Sequence, residues 1–314
     1  MRDRFRGAFL GCALGDAIGR PFEMMSATDS RLGSGLGALL ARSGRLSFSD
    51  DTQMMTSVAE SLVRVGFISG TDVMAALAEN YDPARGYGHG MRRALEAFRS
   101  GQGASAASTT WVEGSKGSGG AVRVVAVACA HHHDVPTLAA LAEEVAGLTH
   151  AHPVGRAGAV AHALALADAL RASGGPPDIS KITGALLEHR LVSNTAFAAK
   201  LARLDELLCA DADGQAAVHV LGNGLLADEA VPLALFSFLR WAPDFASVVR
   251  NTVLCGGDTD TIAAMSGALC GALVGESGLP AGWVERLENG PKGADYVRAL
   301  ADRTFELWDR RRTP

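Results

Sequence analysis

The chain has 314 residues, 48% of them hydrophobic but only 6% aromatic, with 37 glycines, 20% charged residues and a formal net charge of −5. That composition excludes a disordered chain, a collagen-like repeat and a disulfide-dense scaffold, and its mild acidity leaves no basic field to hold bulk nucleic acid through counterion release. Five cysteines (Cys12, Cys129, Cys209, Cys255 and Cys270), odd in number, far apart and without a CxxC pair, point away from disulfides and zinc ribbons and towards a reducing, cytoplasmic setting.

In chain order, MRDRFRGAFLGCALGDAIG reads as a first helix, because its apolar run is too short, too glycine-broken and too soon stopped by Asp16 for a signal peptide. Gly15 and Gly19, four apart, leave one face smooth enough for close helix contact, and Pro21 ends the helix. Apolar residues at threes and fours predict further helices over Thr52–Val65, Asp72–Glu79, Met91–Phe98, Val122–Ala130, Thr137–Leu148, Gly158–Ala172, Ala196–Leu208, Val231–Arg240, Phe245–Leu254 and Tyr296–Trp308. Thr261–Gly275 is apolar but shorter than the roughly 20 residues a membrane span needs, and Asp258 and Asp260 sit at its mouth, so it reads as a buried helix. The irregular stretches are Ser26–Ser49, Gly101–Gly120 and Gly174–Pro177, the first two long enough to suggest function. With no period-two alternation, composition shift or fixed repeat, the expectation is all-α: one domain over residues 1–314, an orthogonal bundle of ten or more helices with no membrane segment.

Chemistry concentrates in four segments. Phe48-Ser49-Asp50-Asp51-Thr52 runs straight into a helical pattern; taken alone it is an N-cap, with Ser49 or Asp50 capping and Asp51 a first-turn acid. Gly256-Gly257-Asp258-Thr259-Asp260-Thr261 again precedes a helix with more acid than a cap requires. Two such turns, each with paired carboxylates and a hydroxyl neighbour, offer hard oxygen ligands that suit Mg²⁺, and four carboxylates suffice for two ions. In the third segment, Gly15 to Glu23, Asp16 and Glu23 taken singly read as surface acids. The fourth, Gly114-Ser115-Lys116-Gly117-Ser118-Gly119-Gly120, fits neither a P-loop nor GxGxxG, but a Gly/Ser loop before a helix start presents N–H groups to an anion; a flexible linker is the alternative.

Together GDAIGRPFE, SDDT, GSKGSGGAVR, THAHP, LGNG and GGDTDTIAAMSGALCGA resemble the ADP-ribosylglycohydrolase family, in the family's order from near residue 7 to about 275. DPARGYGHG, GSKGSGGAVR and LGNGLLADEAVPLALFSFLR further resemble the branch that cleaves O-linked, serine-type ADP-ribose and poly(ADP-ribose), as opposed to the arginine-directed branch. The resemblance implies an all-α fold with two Mg²⁺ ions, or Mn²⁺, at the floor of a cleft for ADP-ribose, and a monomer acting on ADP-ribosylated proteins or small molecules. It places metal ligands at Ser49, Asp50, Asp51, Asp258, Asp260 and Thr261. Glu23 matches the glutamate near the scissile bond; Gly114, Ser115, Gly117 and Ser118, with Lys116 among them, match the diphosphate and distal-ribose loop; His150 matches a ligand-contacting histidine; Leu221, Gly222, Asn223 and Gly224 match a loop near the adenosine.

Position 49 is Ser where the family has Thr, which keeps the hydroxyl but loses a stiffening methyl. Lys116 replaces an aromatic residue of the serine-directed branch, where it would pair with a phosphate rather than stack, and Ser118 stands where Asn is frequent. The expected reaction is hydrolysis at the distal-ribose C1″ with Glu23, or else Asp258, handling the proton. The alternatives are an arginine-directed hydrolase and a catalytically weak ADP-ribose-binding protein. His131-His132-His133 sits where a helix should end and suits that helix's dipole, with no zinc spacing beside it. His150 and His152 face different ways and are no chelating pair; Cys255 reads as packing.

Overall fold

Helix α1 (Arg2–Gly19) carries glycine at every fourth position, Gly7, Gly11, Gly15 and Gly19, which assembles a groove along one face. In chain order follow α2 (Ser30–Ala41), α3 (Asp50–Val65), α4 (Gly70–Asn80), α5 (His89–Arg99), α6 (Gly119–Val122), α7 (Val125–His131), α8 (Val135–Gly147), α9 (Pro153–Arg171), α10 (Ile179–Glu188), α11 (Arg190–Ser193), α12 (Phe197–Cys209), α13 (Gly214–Leu221), α14 (Ala227–Trp241), α15 (Phe245–Leu254), α16 (Thr259–Val274), α17 (Ala281–Val284) and α18 (Ala294–Arg312). The computed structural model describes residues 1–103, 113–172, 175 and 177–312. Residues 104–112 of the irregular stretch expected over Gly101–Gly120, and 174 and 176 of the later one, lie outside the described residues. The fold is all-α; among the described residues, extended backbone pairs only at the isolated bridges Met25–Gly257, Leu46–Leu287 and Gly117–Leu226.

The centre of the bundle is the antiparallel pair α1 and α16. A Cβ on Gly7, Gly11, Gly15 or Gly19 would lie 2.2, 2.3, 1.9 or 2.3 Å from the backbone oxygens of Gly271, Gly267, Ala263 and Thr259. The two helices therefore touch backbone to backbone, as the Gly15/Gly19 spacing predicted, over about three turns instead of one. The pairing lays the C-terminal end of α1 against the N-terminal end of α16, so Asp16 and Glu23 meet Asp258 and Asp260. Residues Thr259–Leu273 of α16 are all buried, which accounts for the apolar run; no described helix is long and apolar enough to cross a membrane.

Helix boundaries differ from the sequence reading where the caps decide. Helix α9 begins at Pro153, five residues before the predicted Gly158, because His152 Nδ1 accepts the Val154 N–H at 3.1 Å and Pro153 fits the first turn. The predicted helix Val122–Ala130 is broken at Arg123 and Val124 into α6 and α7. The irregular reading of Ser26–Ser49 is overturned over half its length by α2, capped by Asp29 and anchored through buried Leu32 and Leu36. Gly33, Gly35 and Gly37 dilute its apolar pattern.

Candidate active site

The GGD turn owes its shape to two left-handed glycines, Gly256 (φ +65) and Gly257 (φ +77). Met24 donates its N–H to the Gly257 carbonyl at 2.7 Å, and Gly257 returns one to Met25 at 2.8 Å. This exchange fastens the segment after α1 to the turn before α16 and sets Glu23 beside Asp258 and Asp260, the three offering oxygens within 4.8 Å of one another. Met24 itself is held in the left-handed region at φ 62. Asp258 occupies the N-cap position of α16 yet makes no capping bond, so capping does not explain it. Its Oδ2 accepts from Ser118 Oγ at 3.3 Å, and its buried Oδ1 has no close hydrogen-bond donor among the described residues.

On the other side, Ser49 does cap α3, its Oγ accepting the Asp51 N–H at 3.2 Å. Asp16, expected on the surface, is fully buried. Its carboxylate accepts the N–H of Ser49 at 2.7 Å, the N–H of Thr52 at 3.0 Å and the Thr52 hydroxyl at 2.5 Å, holding the first turn of α3 by its backbone. This residue was missed in sequence; the signal was a lone acid among the apolar and small residues of GCALGDAIG, on the helix that α16 covers.

The charges facing these carboxylates are one another. Burial first, then Asp16, Glu23 and Asp258, pushes Asp50 up to about 7. Burial, then Asp50 and Asp260, drives Asp51 well above the usual carboxylate range, and burial with Asp258 does the same for Asp260. Asp258 is raised to about 6, chiefly by burial, with Thr261, Asp260 and Ser118 opposing and the Glu23 charge adding. A buried cluster of like charges is costly unless protons or cations occupy it.

A cleft of about 270 Å³ opens above the cluster, lined by Glu23, Asp50, Asp51, Asp258, Asp260 and Thr261 on its floor. Met54, Gly86, Gly88, Gly90 and Met91 form one wall, and Ser115, Gly117, Ser118, Gly119, Thr149, His150 and Leu225 the other. His150 bonds through Nδ1 to Thr149 Oγ1 at 2.8 Å, and Thr149 also accepts from Arg123 at 2.8 Å. Burial, with the Arg123 charge behind it, lowers His150 to about 3, so its ring faces the cleft neutral.

The Gly114–Ser118 loop differs from a free anion cradle. It pairs antiparallel with 225–227: Ser118 donates its N–H to Leu225 at 3.0 Å, and Ala227 donates to Lys116 at 2.8 Å. The Gly117 N–H goes to Ser115 Oγ at 3.2 Å, so two of the loop's N–H groups are already used, and the helix behind it has only four residues. Ser115, Gly117 and Ser118 line the cleft; exposed Lys116 and the tightly packed Gly114 do not. Leu221–Gly224 is not brought to the cleft. Leu221 is buried, and the Asn223 carbonyl accepts the Asp258 N–H at 2.8 Å while its amide donates to Cys255 at 2.9 Å, bracing the GGD turn from behind. Ser49 is likewise buried and does not line the cleft. His131 ends α7, and His132 stacks on Trp308 at 5.1 Å, far from metal chemistry. His152 caps α9 and does not pair with His150.

The ADP-ribosylglycohydrolase family model matches residues 1–314. The chain is 31% identical to human ADP-ribosylhydrolase ARH3, over 96% of this chain and 94% of that one. It is 25% identical to the ADP-ribosyl-[dinitrogen reductase] glycohydrolase of Rhodospirillum rubrum, over 92% and 91%. Among solved structures, an ADP-ribosylglycohydrolase-related protein complex superposes with a TM-score of 0.70 at 26% identity, covering 98% of each chain. The chain belongs to the ADP-ribosylglycohydrolase family and is an ADP-ribosylhydrolase.

Proposed function

We propose that the protein hydrolyses the O-glycosidic bond at the distal-ribose C1″ of serine-type, O-acetyl or polymeric ADP-ribose, releasing ADP-ribose, with two Mg²⁺ ions or Mn²⁺ held by Ser49, Asp50, Asp51, Asp258, Asp260 and Thr261. The observation that carries the cation assignment is the cluster of buried carboxylates Asp50, Asp51, Asp258 and Asp260, which, among the described residues, push one another's pKa upwards and leave Asp258 Oδ1 short of a close hydrogen-bond donor. Carboxylate and hydroxyl oxygens alone make up the donor set, which fits a hard cation and no soft one. O-linkage is supported by the DPARGYGHG and GSKGSGGAVR motifs and by the higher identity to ARH3 than to the dinitrogen reductase glycohydrolase.

Two divalent cations in this site would neutralise the carboxylates and act as Lewis acids towards the vicinal hydroxyls of the distal ribose. Glu23, exposed at the lip and close to Asp258 and Asp260, donates a proton to the leaving oxygen as the C1″–O bond breaks. The ribose passes through an oxocarbenium-like state, and Asp258 is the other group placed to take the proton from the attacking water. Neutral His150 and the Ser115–Ser118 loop orient the ligand from the opposite wall. Matched serine-linked and arginine-linked ADP-ribosyl peptides, assayed with and without chelator, test this reading. Release from the serine peptide alone, abolished by chelation and by Glu23→Gln, is the expected result; preferential release from the arginine peptide overturns the linkage, and full turnover by the chelated protein overturns the metals.

A further inference from the structure

Behind the acidic floor, the residue that precedes Ser49 is gripped at both its backbone N–H and its carbonyl. Phe48 donates its N–H to Glu288 Oε1 at 3.1 Å, and its carbonyl accepts from Arg85 at 2.7 Å and from Arg20 at 2.8 Å. Glu288 is itself buried, ion-paired with Arg85 and, at 2.8 Å, with Arg45. The Arg85 guanidinium also lies 4.5 Å over the Phe48 ring. Glu288 cannot drift, because Leu46 and residues 286–288 exchange backbone bonds at 2.8 Å, one in each direction. Arg85 leads directly into Gly86, on the glycine wall of the cleft, where an added Cβ would sit 3.5 Å from Asp50 Oδ1.

We infer that Glu288 is a positioning residue for the active site: through Phe48 and Arg85 it sets the acidic floor and the glycine wall at one fixed separation. The inference rests on the reading of the floor as the divalent-cation site. Its charge matters as well as its shape, since one carboxylate orients a backbone N–H and two guanidinium groups at once. It lies outside the cleft, among residues no motif singled out.

The test compares wild type, Glu288→Gln, Glu288→Ala and Arg85→Lys by Mn²⁺ titration, by amide exchange over residues 48–52 and by steady-state kinetics. Arg171→Gln, which breaks the Arg171–Asp168 pair at 2.9 Å elsewhere in the fold, serves as the control for general destabilisation. Glu288→Gln is expected to bind Mn²⁺ on the order of 10-fold more weakly, to exchange the 48–52 amides faster and to raise KM more than it lowers kcat. Arg85→Lys falls between, and Arg171→Gln leaves all three unchanged. Unaltered Mn²⁺ affinity and amide exchange in Glu288→Gln overturn the inference, whether or not Glu288→Ala folds. If wild type binds no Mn²⁺, the metal reading fails, and the amide exchange of Glu288→Gln alone decides the positioning role.

Discussion

Asp16 Oδ1 accepts the backbone N–H of Ser49 at 2.7 Å, so an acid on the first helix sets the backbone from which the acidic pair of the third helix projects. Its second oxygen takes both the N–H and the hydroxyl of Thr52. Its burial raises its pKa, and these bonds pull the other way.

Asp16→Asn is the substitution that separates those effects. It removes one of the repelling charges around Asp50 and Asp51, but turns an amide N–H₂ towards Thr52, where two donors already point. Charge-assisted hydrogen bonds contribute about 1.5–3 kcal/mol each and an unsatisfied buried donor costs about 1–3 kcal/mol, so the lost bonds win. The expected outcome is a loss of roughly 2–4 kcal/mol in chemical denaturation, together with weakened Mn²⁺ binding in titration.

The cluster on the floor has the opposite sign. Without a cation, Asp51→Asn relieves repulsion from Asp50, Asp260 and Asp16, and the chelated variant should melt at or above the chelated wild type. With Mg²⁺ the order reverses. Wild type gains about 2.7 kcal/mol at a concentration 100 times the dissociation constant, and the variant gains little of it. Paired melting curves with chelator and with Mg²⁺ check the crossing; a variant that is less stable in both conditions would rule it out.

Glycine substitutions divide by what surrounds them. Gly15→Ala drives a Cβ to within 1.9 Å of the Ala263 carbonyl oxygen, and relief requires the two central helices to part. A loss beyond about 4 kcal/mol is expected, at the diagnostic end of single substitutions, with metal affinity falling too because Asp16 and Asp260 separate. Gly37→Ala, on the exposed face of α2 with nothing within 4 Å, should instead stabilise by about 0.4–1 kcal/mol. Urea denaturation of the two variants reads both signs.

These cases show what the sequence made legible. The carboxylate pairs at 50–51 and 258–260 stand out because each exceeds what a helix start needs, and the Gly15/Gly19 spacing announces a close helix contact. What lies on the far side of that contact is not local information: Asp16 reads as a surface acid until α16 covers it. Glu288 reaches Phe48 across 240 residues, with no motif of its own. Helix α2 stayed hidden because three glycines interrupt a face on which only Leu32 and Leu36 are buried. The Gly/Ser loop looked free because its antiparallel partner, Leu225–Ala227, follows more than 100 residues later.

His162 gives the protein an acid limit independent of the carboxylates. It is fully buried on α9, bonded through Nδ1 to the Ala121 carbonyl at 2.7 Å, and burial lowers its pKa to about 4. In the unfolded chain the ring titrates near about 6.5, so between those values the unfolded state binds a proton that the native state does not. Stability should therefore be flat in this group above pH about 6.5 and fall by roughly 1.4 kcal/mol per pH unit as pH drops from there towards 4. Measured by urea denaturation with Mg²⁺ added, so that on the proposed reading the acidic floor stays deprotonated, His162→Phe should cost about 1–3 kcal/mol at pH 8 by orphaning the Ala121 carbonyl. Its stability curve should then run flatter than wild type's below pH about 6.5. Parallel curves for the two proteins over that window would show that the native ring protonates as readily as the unfolded one.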